Sequence, residues 1–323
     1  MRAIQFEKTG GPDVLQMKEL TLGDPGPAEV QLRHTAIGLN FIDVYHRSGL
    51  YQVPLPSGLG SDAAGVITKL GTGVKGLKVG DRVAYGSGPL GSYQDARNYP
   101  ANRLVKLPKT INDETAAGMM LKGMTVRYLL RATYKVKRGE TVLFHAAAGG
   151  VGLIFSQWAK ALGVKVIGTV GSDEKRGLAG SHGCAHVINS KTEDVVARVK
   201  EITKGKGVPV VYDGVGQATF MQSLDCLSPR GLLVAFGNAS GAIPAFNLGL
   251  LAAKGSLYVT RPTLGTYIAS DAQFAQTAQD LVNIVKSGKV KITINQRYPL
   301  ADAAKAHADL EARRTTGATV LLP

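Results

Sequence analysis

Apolar and polar positions change rhythm once along this chain, near Thr125. Before that point, short apolar runs at residues 30–36, 64–70, 82–84 and 103–106 are cut by Gly- and Pro-rich turns, with no helical period between them. Frequent turns between short strands predict a compact, barrel-like antiparallel domain. After it, apolar runs at 141–144, 165–170, 186–189, 208–212 and 231–236 alternate with helical stretches. Alternating strand and helix units predict an α/β domain with a doubly wound parallel sheet covered on both faces. Beyond Arg261-Pro262 the pattern gives a helix over 272–287, a strand near 292–298, a helix over 301–313 and a last strand over 318–322. This tail is expected to return to the first domain.

The most informative segment is residues 139–160, GETVLFHAAAGGVGLIFSQWAK. A strand runs into Ala146-Ala147-Ala148-Gly149-Gly150-Val151-Gly152, and an apolar helix follows with no spacer. This is the context a dinucleotide phosphate turn requires. Gly149 and Gly150 are expected to use backbone angles closed to other residues and to let a pyrophosphate approach the main chain. Gly152 allows close packing of helix on strand, and the helix N-terminus offers N–H groups to the anion. Ala147 stands where such turns usually begin with glycine.

Length fits two domains, since 323 residues exceed one ordinary domain of about 150. No apolar run is long enough to cross a bilayer, and the first residues lack a charged segment followed by an apolar block, so neither a membrane span nor a secretory leader is expected. Two cysteines, Cys184 and Cys226, are too few for a disulfide framework and point to a cytoplasmic protein. A net charge of +14 raises the question of an anionic partner. Lys and Arg are dispersed, however, and aromatic residues make up only 6%, so no stacking platform stands out and nucleic acid is not expected as the main partner.

Cofactor preference is written after the second strand of the parallel domain. Enzymes that use NAD place Asp or Glu there to bind the ribose hydroxyls. This chain has Gly171-Ser172, which leaves room for a 2′-phosphate, and Lys175 one turn later supplies charge. NADPH is therefore the expected cofactor. Asp173 and Glu174 also lie here, where acids suit a helix start.

The spacing of Gly139-Glu140, Leu143, Ala147 to Gly150, Gly152, Gln157 and Lys160 resembles the signature of zinc-independent, ζ-crystallin-like quinone oxidoreductases of the medium-chain dehydrogenase/reductase superfamily. The likeness runs through GGPDVLQ, GLNFIDVYHRSGLY, LGSDAAGVI, VGDRV, LKGMTVRYLL, VVYDGVG, LVAFGNASG, GSLYVTRP and RRTTGATVLLP. It implies a GroES-like catalytic domain, residues 1–123 and 262–323, interrupted by a Rossmann domain, residues 124–261. It also implies direct hydride transfer from NADPH to a quinone without zinc or flavin. Zinc alcohol dehydrogenases of the superfamily carry Cys and His where this chain has Asn40 and Ser61, neither of which is a good zinc ligand. No metal is expected.

By the same resemblance Asn40 and Asp43 lie in a loop facing the nicotinamide, and Thr125 stands at the entry to the Rossmann domain. Phe236, Gly237 and Asn238 follow the fifth strand, Ser190 replaces a tyrosine that contacts the adenosine phosphate, and Arg313 resembles an arginine reaching the cofactor's phosphates. Together with Gly149, Gly150, Val151, Gly152, Gly171, Ser172 and Lys175 these form the expected cofactor set. Tyr45, Tyr51 and Asn40 are the candidates for the acceptor pocket. The spacing His182-x-Cys184-x-His186 superficially suggests a metal, but packing or exposure is the better reading of it. Residues 255–260 resemble an edge strand that pairs across a two-fold axis, implying a homodimer. Two alternatives stand beside quinone reduction: reduction of an α,β-unsaturated carbonyl, and nucleic-acid binding on a nucleotide fold.

Overall fold

The change of rhythm near Thr125 is a change of structural unit in the computed structural model, which describes residues 1–323. One unit comprises Met1–Met124, Ile268–Lys286 and Ile292–Pro323; the other comprises Thr125–Tyr267 and Ser287–Lys291. The return lies at Ile268 where 262 was expected, and bonds within the second unit explain it. Arg261 donates to the Ala235 carbonyl at 2.9 Å, Thr133 donates to the Tyr267 hydroxyl at 2.9 Å, and the Tyr267 ring stacks on Tyr128 at 4.6 Å. The excursion at 287–291 is tied by Gln157, which accepts from Lys291 N and donates to Lys291 O, both at 2.9 Å.

In the first unit a seven-stranded sheet runs Ile294–Pro299, Ala318–Leu322, Glu29–Leu39, Asp62–Leu70, Arg82–Tyr85 and Val105–Lys106, with Ala96–Pro100 also paired on Glu29–Leu39. A smaller sheet joins Gln16–Glu19, Arg2–Phe6 and Ser57–Gly58. The expected antiparallel arrangement holds except for one pair: Ile294–Pro299 runs parallel to Ala318–Leu322. The helix Ala303–Glu311 between them makes this possible, because parallel neighbours need a crossover. Phe6, Leu32, Ile37, Leu59, Tyr85 and Tyr99 anchor the core.

Two helices here contradict the helix-free reading. Asp113–Tyr128 runs for 16 residues and continues as a π-helical segment, Leu129–Thr133. Its Ala116, Ala117, Met119, Met120, Met124 and Val126 are all buried, so it is apolar around its circumference and shows no face pattern. Gly118 and Gly123 lack the Cβ that would collide with Ile294 and Leu281, at 2.4 and 2.3 Å. The second helix is Phe41–Ser48, closed by Gly49 in the left-handed region at φ 84°.

The second unit is a six-stranded parallel sheet in the order Cys184–Asn189, Lys165–Val170, Thr141–Phe144, Val208–Asp213, Leu227–Ala235, Tyr258–Thr260. Strand order reverses direction between Thr141–Phe144 and Val208–Asp213. Ligands of such sheets gather beyond the strand C-termini at this switch point. The inner strands are mostly apolar because helices such as Gly150–Ala161 and Phe220–Asp225 cover their faces, whereas the edge strands Cys184–Asn189 and Tyr258–Thr260 carry exposed residues.

Candidate functional site

The helix Gly150–Ala161 starts directly beyond the strand Thr141–Phe144, with Gly149 at its N-cap and no side-chain cap. The first-turn amides are thereby kept for an anion. The turn achieves this differently from the expectation. Gly149 is extended, at φ −78° and ψ 170°, and the left-handed residue is Ala146, at φ 58°. What glycine supplies is space: a Cβ on Gly152 would lie 2.6 Å from Ala147 O and 2.7 Å from Ala146 O. Ala147 is held by donating to Thr169 O at 2.8 Å.

Polar side chains buried beneath the turn fix the strand ends. His145 bonds Thr169 Oγ1 at 3.1 Å through Nδ1 and Ser223 Oγ at 3.0 Å through Nε2. Ser223 donates to Asp213 Oδ2 at 2.7 Å, and Asp213 Oδ1 accepts from Val215 N and Gly216 N. Burial lowers the His145 pKa and keeps the ring neutral. Asp213 thus organises the turn after its own strand and the position of Phe236, whose N–H donates to Asp213 O at 2.8 Å. Gly237 permits that approach, since a Cβ there would lie 2.4 Å from Gly214 O. Phe236, Gly237 and Asn238 follow Leu227–Ala235, at the sheet's ligand-binding end.

At the end of Lys165–Val170 the chain passes through half-buried Gly171 and Ser172. Asp173, the acid nearest this point, is taken up elsewhere: it accepts from Arg176 Nε at 2.6 Å and Asn189 Nδ2 at 3.1 Å. Those contacts hold its carboxyl below the usual range. Arg176 pairs with Asp173 and Glu193, and Lys175 precedes it in the same helix. Ser190 lies beside the same strand end, bonded to Val170 O through its amide at 2.9 Å and its hydroxyl at 3.2 Å. Thr125 opens this unit, whereas Arg313 belongs to the first unit, exposed and left-handed at φ 60° after the helix Ala303–Glu311.

In the first unit the expected loop at Asn40 and Asp43 is instead the start of the helix Phe41–Ser48. Asn40 occupies the N-cap and Asp43 the third helical position, where its Oδ2 accepts from Asn40 N at 2.8 Å. The Asn40 side chain also has partners outside the helix. Its Oδ1 accepts from Lys122 Nζ at 2.7 Å and its Nδ2 donates to Asp62 Oδ1 at 2.7 Å. Lys122 Nζ also donates to Leu39 O at 3.0 Å. Tyr93 OH bridges Asp43 Oδ2 and His307 Nε2, both at 3.1 Å. Asn40, Asp43, Asp62, Tyr93, Lys122 and His307 are all buried. Burial, then the Asp62 charge, pushes the Asp43 pKa up to about 7; burial also raises Asp62 and lowers Lys122.

Tyr45 and Tyr51 come together edge to face at 5.1 Å, and the rings of Phe41 and His46 extend the cluster. Tyr45 is buried and Tyr51 half-buried. Lys122 and Asp62 were missed from the sequence, although a single charge inside AAGMMLKGMTV was a usable signal. Gly38 makes room for them: a Cβ there would lie 2.4 Å from both Asp62 Oδ1 and Ala117 O.

A zinc ion does not fit this cluster. Asn40 Oδ1 is engaged by an ammonium, Ser61 is a poor donor, and a second cation beside a buried lysine would be repelled. In the expected His182-x-Cys184-x-His186 segment, His182 Nδ1 bonds Leu178 O and Cys184 Sγ pairs with Ser156 Oγ.

A parallel sheet with an uncapped phosphate turn, joined to a β-rich unit with a buried polar cluster, defines a nucleotide-dependent dehydrogenase or reductase. Family models agree: an alcohol dehydrogenase GroES-like domain matches residues 26–109 and a zinc-binding dehydrogenase model matches residues 150–283. The chain is 56% identical over 323 residues to a Pseudomonas aeruginosa quinone oxidoreductase, covering 100% of this chain and 99% of the relative. It superposes with a TM-score of 0.98 and 53% identity on the crystal structure of Escherichia coli quinone oxidoreductase complexed with NADPH, with 100% of both chains covered. A 2-haloacrylate reductase from a Burkholderia species is 46% identical, covering 99% of this chain and 98% of the relative. The chain belongs to the zinc-independent quinone oxidoreductase family of the medium-chain dehydrogenase/reductase superfamily.

Proposed function

We propose that this protein is an NADPH:quinone oxidoreductase. The observation that carries the reading is the full-length likeness, at 53% identity, to a quinone oxidoreductase complexed with NADPH. When bound, NADPH supplies the hydride that reduces the acceptor. The chain's own work is to hold and orient. First-turn amides of Gly150, Val151 and Gly152 bind the pyrophosphate; Ser172 and Lys175 grip the 2′-phosphate, with Ser190 beside them; Phe236, Gly237 and Asn238 line the sheet's ligand-binding end. Thr125, Asp43 and Arg313 complete the cofactor contacts. Asn40 hydrogen-bonds the acceptor oxygen, and Tyr45 and Tyr51 line its pocket. The conjugated π-system of a quinone delocalises incoming charge, so donors from the protein suffice where a carbonyl alone would need a Lewis acid.

The first unit serves as catalytic domain and the second as nucleotide-binding domain. Two free cysteines suit a reducing cytoplasm, and no helix is long and apolar enough to cross a membrane. Homodimerisation is part of this reading, and the edge strand Tyr258–Thr260, which pairs with Leu227–Ala235 on one side and exposes Tyr258, supports it. A monomer in sedimentation at micromolar concentration contradicts the dimer.

The decisive assay is steady oxidation of NADPH by a panel of ortho- and para-quinones. Absence of turnover across the panel overturns the reading. The haloacrylate-reducing relative favours a second one, reduction of an activated alkene with the same cofactor. Faster turnover of enals or 2-haloacrylates than of quinones selects it.

A further inference from the structure

Lys122 is the one charged residue in the buried stretch from Ala116 to Met124, at 6% exposure. An ammonium in such surroundings carries a large desolvation penalty, and a methionine of similar length would pack there without it. Its partners are specific: Leu39 O at 3.0 Å and Asn40 Oδ1 at 2.7 Å. The other end of the same amide, Asn40 Nδ2, donates to Asp62 Oδ1 at 2.7 Å. A single amide thus lies between a buried cation and a buried carboxylate, its oxygen toward the positive charge and its nitrogen toward the negative one. Asp62 is anchored in turn by the Leu121 amide at 3.3 Å, next in sequence to Lys122, and Gly38 leaves the space for it.

Such an arrangement does two things. It fixes which way the amide faces, because exchanging Oδ1 and Nδ2 would set N–H against an ammonium and oxygen against a carboxylate. The ammonium on Oδ1 also draws electron density through the amide, and this makes the second Nδ2 hydrogen a stronger donor.

We propose that Lys122 is a positioning residue for quinone reduction, its ammonium fixing and polarising the Asn40 amide so that the remaining Nδ2 hydrogen meets the acceptor oxygen as negative charge develops there. Lys122 itself touches no substrate. This rests on the reading of Asn40 as the acceptor contact.

Kinetics of the full-length protein with NADPH and a para-quinone test it in wild type, Lys122→Met, Asn40→Ala and the double variant. Fluorescence titration of NADPH accompanies each. Lys122→Met is expected to lower kcat at least about tenfold, as for loss of a charge-assisted hydrogen bond, while the NADPH Kd stays within about twofold. In the Asn40→Ala background the same substitution changes kcat by less than about twofold, because the group through which it acts is gone. Equal losses in both backgrounds, or an unchanged kcat in Lys122→Met, overturn the proposal. If Asn40→Ala alone keeps wild-type kcat, the Asn40 reading fails, and this proposal with it; if Asn40→Ala is slow and Lys122→Met is not, only the role of Lys122 fails. Should Lys122→Met not fold, Lys122→Met/Asp62→Asn preserves the cluster's net charge. It is expected to show the same loss of kcat, and wild-type kcat in it overturns the proposal.

Discussion

Cofactor choice turns on single side chains at the end of Lys165–Val170. Asp173 is the residue that could repel a 2′-phosphate, yet its carboxylate is bonded to Arg176 and Asn189. In the proposed reading Lys175 supplies the positive charge. Lys175→Ala is expected to weaken NADPH by about 1.5 to 3 kcal/mol and to leave NADH nearly unchanged. Titration of both nucleotides measures this, and an equal loss for each contradicts it. Asp43 gives a second prediction at this scale. Its carboxyl has an ordinary pKa of 3.8, pushed up to about 7 on folding. The folded state therefore keeps a proton that the unfolded chain has released, so this stabilising contribution is full below about pH 4 and is lost as pH rises through about 7. Buried His34 and His307 act oppositely. Their pKa values fall from 6.5 to about 4 and about 3, so their contribution is lost as pH falls through those values. The stability of wild type relative to Asp43→Asn should decline between about pH 4.5 and 8 in urea unfolding without cofactor. A flat difference removes the buried titration.

Among the elements, the phosphate turn was the most legible in sequence, because strand, glycines and helix follow one another without interruption. Its mechanics were not. The expectation assigned unusual backbone angles to Gly149 and Gly150, but the left-handed residue is Ala146 and the indispensable glycine is Gly152. Gly152→Ala should destabilise the protein by about 1–3 kcal/mol and reduce NADPH affinity, because the new methyl meets backbone atoms that cannot move aside. Wild-type melting and titration curves would count against that account. The helix Asp113–Tyr128 escaped notice for a physical reason: periodicity reports the difference between a wet face and a dry one, and a helix buried on all sides has no such difference. Phe41–Ser48 was less excusable, since Asn40, Asp43 and Gly49 are start and stop signals at the right spacing. Missing these two helices also hid Lys122. Its partner Asn40, and Asp62 on the other end of that amide, sit far from it in sequence, and no local pattern links them.

At the scale of the whole molecule, the net charge of +14 remains after its ion pairs are counted, because pairing redistributes charge without removing it. Weak adherence to DNA is expected at low salt, with no sequence preference and a steep decline as salt is raised. Binding that survives physiological salt with a preferred sequence would revive the nucleic-acid reading. The first unit's sheet has a further consequence. Ala318–Leu322 is an interior strand, paired on one side with Ile294–Pro299 and on the other with Glu29–Leu39. A ribosome delivers those residues only after the whole of 125–267. Residues 125–267, the bulk of the second unit, are made before the first unit's sheet receives the two strands at one of its edges, Ile294–Pro299 and Ala318–Leu322. On a nascent chain the second unit is therefore ready to fold before the first, and a stop codon ahead of residue 318 leaves Ile37–Leu39 without their antiparallel partner.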